Sequence, residues 1–123
     1  MSHPNFVILY VDNPPKSAAF YQDLLGRAPV ETSPTFALFV LDAGFKLGLW
    51  SRHTVEPVAH VTGGGNELCI AVDGNQRVDE LFADWGARKL TVAQAPEEMD
   101  FGYTFVVLDP DQHRLRVFAP GSR

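Results

Sequence analysis

The side chains of this sequence that could do chemistry are scattered, and their placement restricts what that chemistry can be. His3 is near the N-terminus, His53 and His60 fall in a Pro- and Gly-containing stretch, and His113 sits in a turn. None is expected on a cavity-facing strand position. A ligating histidine needs partners held at fixed geometry, so all four are read as surface or structural residues. The single cysteine, Cys69, excludes an internal disulfide and an all-thiolate metal site. No Ser, Cys or Lys carries a nucleophile signature, and an unpaired cysteine usually acts as a small hydrophobe. The run Gly63-Gly64-Gly65 is followed neither by Lys-Ser/Thr nor by a helix, so it is not a phosphate loop. Glu97, Glu98 and Asp100 are read as a solvated loop before a strand at Phe101–Leu108, close to a cavity mouth. Arg116 is left as the informative residue.

Arg116 lies in Phe105–Phe118, which reads as two apolar strands joined by the turn Asp109-Pro110-Asp111-Gln112. Pro at the second turn position suits a type I turn, and Asp109 can bond back to the backbone. Beyond it, Arg114, Arg116 and Phe118 share one side of a strand, and Leu115 and Val117 the other.

The elements that must position these residues recur. Phe6–Val11 is of strand length, and Asn13 is a helix cap before Pro14-Pro15. Apolar Ala19, Phe20, Leu24 and Leu25 follow helical spacing, with Gly26 as the stop. Short strands are expected at 28–32, 36–41 and 45–50, the last two joined at Asp42-Ala43-Gly44. After a linker at about 52–66 the order restarts. A strand at 68–72 is followed by a helix carrying Val78, Leu81, Phe82 and Trp85, stopped at Gly86. Strands at 89–93, 103–108 and 114–118 complete it. Val11-Asp12 matches Val72-Asp73 at an offset of 61, and Lys46–Trp50 matches Arg114–Phe118 at an offset of 68. The chain is therefore read as α+β, a single domain at 1–123 built as a tandem βαβββ repeat. Module one covers about 4–51 and module two about 67–120.

Alternation sorts the faces. Val7, Leu9 and Val11, with Leu68, Ile70 and Val72, should pack on the helices. Phe6, Ile8 and Tyr10, with Glu67, Cys69 and Ala71, face the other way. Two units side by side would form a curved mixed sheet around a concave cavity, helices outside, and such a surface suits a small ligand. Trp50, Phe6 and Phe118 are expected on that surface, with Phe36 or Phe39 and Tyr103 or Phe105 joining by whichever register holds. Phe101 lies beside Gly102, which allows close backbone approach.

Bulk properties narrow the partners. A net charge of −5 argues against non-specific nucleic-acid binding and mildly favours cationic or neutral ligands. No run approaches the roughly 18 apolar residues of a membrane span, and no signal peptide opens the chain, so a cytoplasmic location is expected.

Val11-Asp12 with Ser17–Gly26, together with Leu108-Asp109-Pro110-Asp111-Gln112-His113-Arg114-Leu115, resembles the vicinal oxygen chelate superfamily. That superfamily includes glyoxalases, extradiol dioxygenases and bleomycin-resistance proteins. Its enzymes hold a divalent metal with four ligands, one on the first and one on the last strand of each repeat. The resemblance carries those positions onto Phe6, Gly48, Glu67 and Arg116. Of these only Glu67 can ligate a metal, and Arg116 puts a permanent positive charge where the cation would sit. No metal and no cofactor are expected, and Glu67 and Arg116 are expected to form an ion pair in its place. Arg116 gripping an acidic or carbonyl-bearing ligand is the alternative.

The chain is accordingly similar to the metal-free bleomycin-resistance-type proteins, acidic homodimers that bind and sequester a drug. A planar or aromatic ligand is expected to contact Phe6, Phe39, Trp50, Glu67, Phe101, Tyr103 and Arg116, with no catalytic residue. Two other readings remain: an enzyme of the same fold using Glu67 or a misaligned metal site, and an interaction module with a filled cavity.

Overall fold

A computed structural model describes residues 2–121. It divides between Gly63 and Gly64 into two compact units, each built in the order strand, helix, three strands.

In the first unit β1 (Phe6–Val11) leads into α1 (Pro14–Leu25), then β2 (Glu31–Thr32), β3 (Phe36–Val40) and β4 (Lys46–Ser51). The sheet order is β1-β4-β3-β2, with β1 parallel to β4 and the other pairs antiparallel. The Asn13 side chain accepts from the Lys16 N–H, and Gly26 closes the helix at φ 67°, the left-handed conformation glycine adopts freely. The buried stripe of α1 is Pro14, Ser17, Ala18 and Tyr21; Ala19 is exposed, so the helix is rotated from the expected face. Leu9, Val11, Ala37, Phe39, Leu47 and Leu49 are fully buried with Tyr21. The linker is anchored by buried Val55, while Val58 and Val61 are exposed.

The second unit repeats the plan. It has β5 (Glu67–Ala71), α2 (Asn75–Ala87), β6 (Thr91–Met99), β7 (Gly102–Leu108) and β8 (Arg114–Pro120), in sheet order β5-β8-β7-β6. The core centres on Phe105, which meets Phe82 and Trp85 of α2 edge-on at 5.3 and 5.4 Å. Two expectations are corrected. Gly86 does not stop α2, because the helix runs on through Ala87 and the left-handed turn comes at Lys89 (φ 61°). Glu97 and Glu98 are not in a loop: β6 continues to Met99, pairing Glu97 with Thr104 and Glu98 with Tyr103 across two register shifts.

The turn after β7 closes as expected. The Gln112 N–H donates to the Asp109 carbonyl, and Asp109 Oδ1 accepts from the Asp111 and His113 N–H groups. The His113 ring, buried, lies 2.9 Å from Asp109 Oδ2. His113 is thus a structural clasp.

Candidate ligand-binding site

The position of each chemical group follows from strand register. In the parallel pair of the first unit Phe6 lies opposite Lys46 and Ile8 opposite Gly48. In the second, Glu67 lies opposite Arg114 and Cys69 opposite Arg116. Phe6 and Gly48 are therefore diagonal neighbours on one face, and Glu67 and Arg116 hold the same diagonal in the second repeat.

The occupants differ in chemistry. In the first unit the missing side chain of Gly48 lets two rings close in. A Cβ there would stand 3.0 Å from Phe6 Cε1 and 3.0 Å from Phe36 Cζ. Phe6 and Ile8 are 39% and 41% exposed, and Trp50 meets Tyr10 edge-on at 6.4 Å. Lys46 Nζ lies 5.9 Å from the centre of the Phe6 ring, within cation–π range.

In the second unit Arg116 fills the place of Gly48. Its Nε and Nη2 donate to the two oxygens of Glu67 at 2.8 and 2.9 Å, a two-point ion pair. Its Nη1 donates to Gln94 Oε1 at 3.0 Å and Thr104 Oγ1 at 3.1 Å. The Thr104 hydroxyl in turn donates to the Val117 carbonyl, which fixes it as an acceptor for Arg116. The Arg116 and Glu67 side chains are 15% and 24% exposed. The hydrogen bonds from Arg116 hold the Glu67 carboxyl below its ordinary pKa, against a smaller opposing effect of desolvation. Both oxygens are occupied and the carboxylate stays ionised, so Glu67 is poorly placed to act as a general acid or base. Desolvation and the neighbouring Glu67 carboxylate push the Cys69 thiol up, away from a reactive thiolate.

An aromatic pair borders this cluster. The Arg116 guanidinium carbon lies 5.5 Å from the Phe101 ring centre, and Phe101 meets Phe118 edge-on at 5.9 Å. Arg116 also lines a cavity of about 270 Å³ together with Ala93, Gln94, Val106 and Arg114. A broader depression of about 620 Å³ beside the C-terminal end of α1 has no aromatic lining, and its Arg27 is held by Asp42 and the Val40 carbonyl. It does not form part of this site.

Of the seven expected ligand-contacting residues, Phe6 and Trp50 lie on the open face of the first sheet, and Glu67, Arg116 and Phe101 gather on the second. Two are corrected. Phe39 is 0% exposed and belongs to the core; Phe36 takes the open face. Tyr103 shares the helix side of β7 with Phe105, and its hydroxyl donates to Asp79 of α2 at 2.7 Å. The open face of β7 belongs to Thr104 and Val106. Gln94 and Thr104 were not anticipated; their polar atoms hold Arg116.

The metal positions implied by the resemblance carry a ring, a hydrogen, a carboxylate and a guanidinium, and the carboxylate is bound by the guanidinium. These residues do not fit a divalent metal. Among the described residues no three His, Cys, Asp or Glu side chains are grouped to hold one.

Residues 3–117 match the model of the Glyoxalase/Bleomycin resistance protein/Dioxygenase superfamily. The chain is 32% identical over 117 residues to the phenazine antibiotic resistance protein EhpR of Enterobacter agglomerans, covering 93% of this chain and 89% of that one. A solution NMR structure of a protein from Agrobacterium tumefaciens is 61% identical with a TM-score of 0.88, over 99% and 100% of the two chains. A glyoxalase/bleomycin resistance protein/dioxygenase family enzyme from Burkholderia phytofirmans is 26% identical with a TM-score of 0.81, over 98% and 100%. With its doubled βαβββ plan and a family match across nearly its whole length, the chain belongs to the glyoxalase/bleomycin resistance protein/dioxygenase superfamily.

Proposed function

We propose that this protein binds and sequesters a small planar aromatic molecule, without a metal ion. The observation that carries the reading is the ion pair at the chelating position. Glu67 is committed to Arg116 through both oxygens, and its repeat counterpart is Phe6. The chain keeps the doubled βαβββ plan while the residues that would activate a metal-bound substrate are replaced. Rings on the open faces, Phe6, Phe36 and Trp50 on one sheet and Phe101 and Phe118 on the other, offer stacking surfaces instead. The relative named for phenazine antibiotic resistance supports a tricyclic planar ligand. A cytoplasmic location, in line with the cysteine-poor composition, and the homodimeric state that the family resemblance implies belong to the same reading.

A thermal-shift panel tests it. Phenazines and other planar aromatics should raise the melting temperature in the presence of EDTA, since a ligand that binds only the folded state stabilises it by mass action. A panel in which no planar compound shifts the transition, with or without added metal, would overturn the proposal.

A further inference from the structure

Resting on the reading above, we propose that the ligand carries a carboxylate or similar acidic group, and that Arg114 is the residue that receives it. Three ionised side chains meet on the open face of the second sheet: Glu67, Arg114 and Arg116. The two guanidiniums share one carboxylate directly, and the next, Glu97, is engaged by Gln94 Nε2.

The two arginines are not equivalent. Arg116 uses Nε and Nη2 on Glu67 and Nη1 on Gln94 and Thr104, so moving it would leave three partners short of a donor. Arg114 is joined to Glu67 by one contact at 3.5 Å from Nη1, at the limit of a hydrogen bond, and its side chain is 47% exposed. Glu67 already has a stronger partner, so Arg114 can turn away from it at little cost.

Arg114 also lines the cavity of about 270 Å³. That volume is below the usual range for a whole drug-sized ligand, about 300–1,000 Å³, and suits a substituent with the edge of a ring. Besides Arg116, already committed to three partners, the one remaining polar wall residue cannot replace Arg114. Gln94 Oε1 accepts from Arg116, while its Nε2 is turned to Glu97 and Met99. Phe101 reaches this cluster through Arg116, whose guanidinium carbon lies 5.5 Å from its ring centre. An acidic planar molecule would meet a two-donor fork at its substituent and an aromatic surface at its ring.

Calorimetric titration with phenazine-1-carboxylate, phenazine-1-carboxamide and unsubstituted phenazine tests this at pH 7.5 and low salt. The acid should bind at least about tenfold more tightly than the amide, and the preference should shrink at high salt. Arg114→Gln should abolish the preference by weakening the acid about tenfold more than the amide, and Arg114→Lys should retain part of it. Equal affinity of acid and amide for the wild type would overturn the assignment of an acidic ligand while leaving planar-ligand binding intact. Equal weakening of both by Arg114→Gln would likewise overturn it. No binding of any of the three would overturn the sequestration reading along with it.

Discussion

Arg116 stands in the second repeat where Gly48 stands in the first, 68 residues earlier, on the middle of the strand that pairs in parallel with the first strand of its unit. One position is a gap that two phenylalanine rings close over; the other is a guanidinium that binds three side chains. A repeat whose halves are geometrically equivalent has thus been given opposite chemistries, one apolar and one ionic. This asymmetry is what a metal centre drawing ligands from equivalent positions would not have.

The ion pair should matter for stability. Arg116→Met leaves Glu67 partly buried without its main counter-charge and removes the donor that Gln94 and Thr104 share. A loss of about 2 kcal/mol in urea unfolding is expected, less than for a fully buried pair because both groups keep some contact with water. The double variant Glu67→Leu/Arg116→Met should recover most of it.

The same pair predicts a pH dependence. Because the folded state depresses the Glu67 pKa, the unfolded state binds the proton more readily. The stabilisation is therefore present above the ordinary glutamate pKa, about 4.3, and is lost as the pH falls through the lower folded value. The stability gap between wild type and Arg116→Met should be constant near neutrality and narrow below about pH 4.

Gly48→Ala should separate stability from binding. The new methyl meets the far ends of two rings, of which Phe6 is half-exposed and can yield. Unfolding free energy should change by less than about 1 kcal/mol, while displacement of Phe6 and Phe36 weakens ligand binding measurably.

Gly102→Ala should be far more costly. Gly102 has φ 142°, and a Cβ there would drive into the Ala119 carbonyl of β8. Thermal unfolding should show a loss of about 3 kcal/mol, through combined backbone strain and disruption of the pairing of Gly102 with Pro120.

Phe101→Ala and Tyr103→Phe should diverge. Phe101 flanks Arg116 on the open face, so under the proposed function its truncation should weaken planar ligands by about 1 kcal/mol. Tyr103 points to Asp79 on the helix side, so losing its hydroxyl should leave the dissociation constant unchanged in the same titration.

The repeat, the Asn13 cap, the Gly26 stop and the Asp109 turn were legible because each rests on local chemistry or on matched offsets. The Glu67–Arg116 pair was legible because the repeat fixed which positions align. Strand parity was not legible where apolar residues fill both faces. Phe36–Val40 is apolar at all five positions, so Phe36 and Phe39 could not be separated. In β7, Phe105, Val106 and Val107 are all buried, which concealed that Tyr103 belongs with the helix. Glu97 and Glu98 read as loop because β6 pairs with one neighbour only, where exposed polar side chains are tolerated.

Metal-free binding is tested most directly by calorimetric titration of a phenazine into protein dialysed against EDTA, repeated after adding equimolar Zn²⁺ or Mn²⁺. A saturable single-site isotherm with the same dissociation constant in all samples is predicted. Binding that appears only after a metal is restored, or stoichiometric tight uptake of the metal itself, would contradict it.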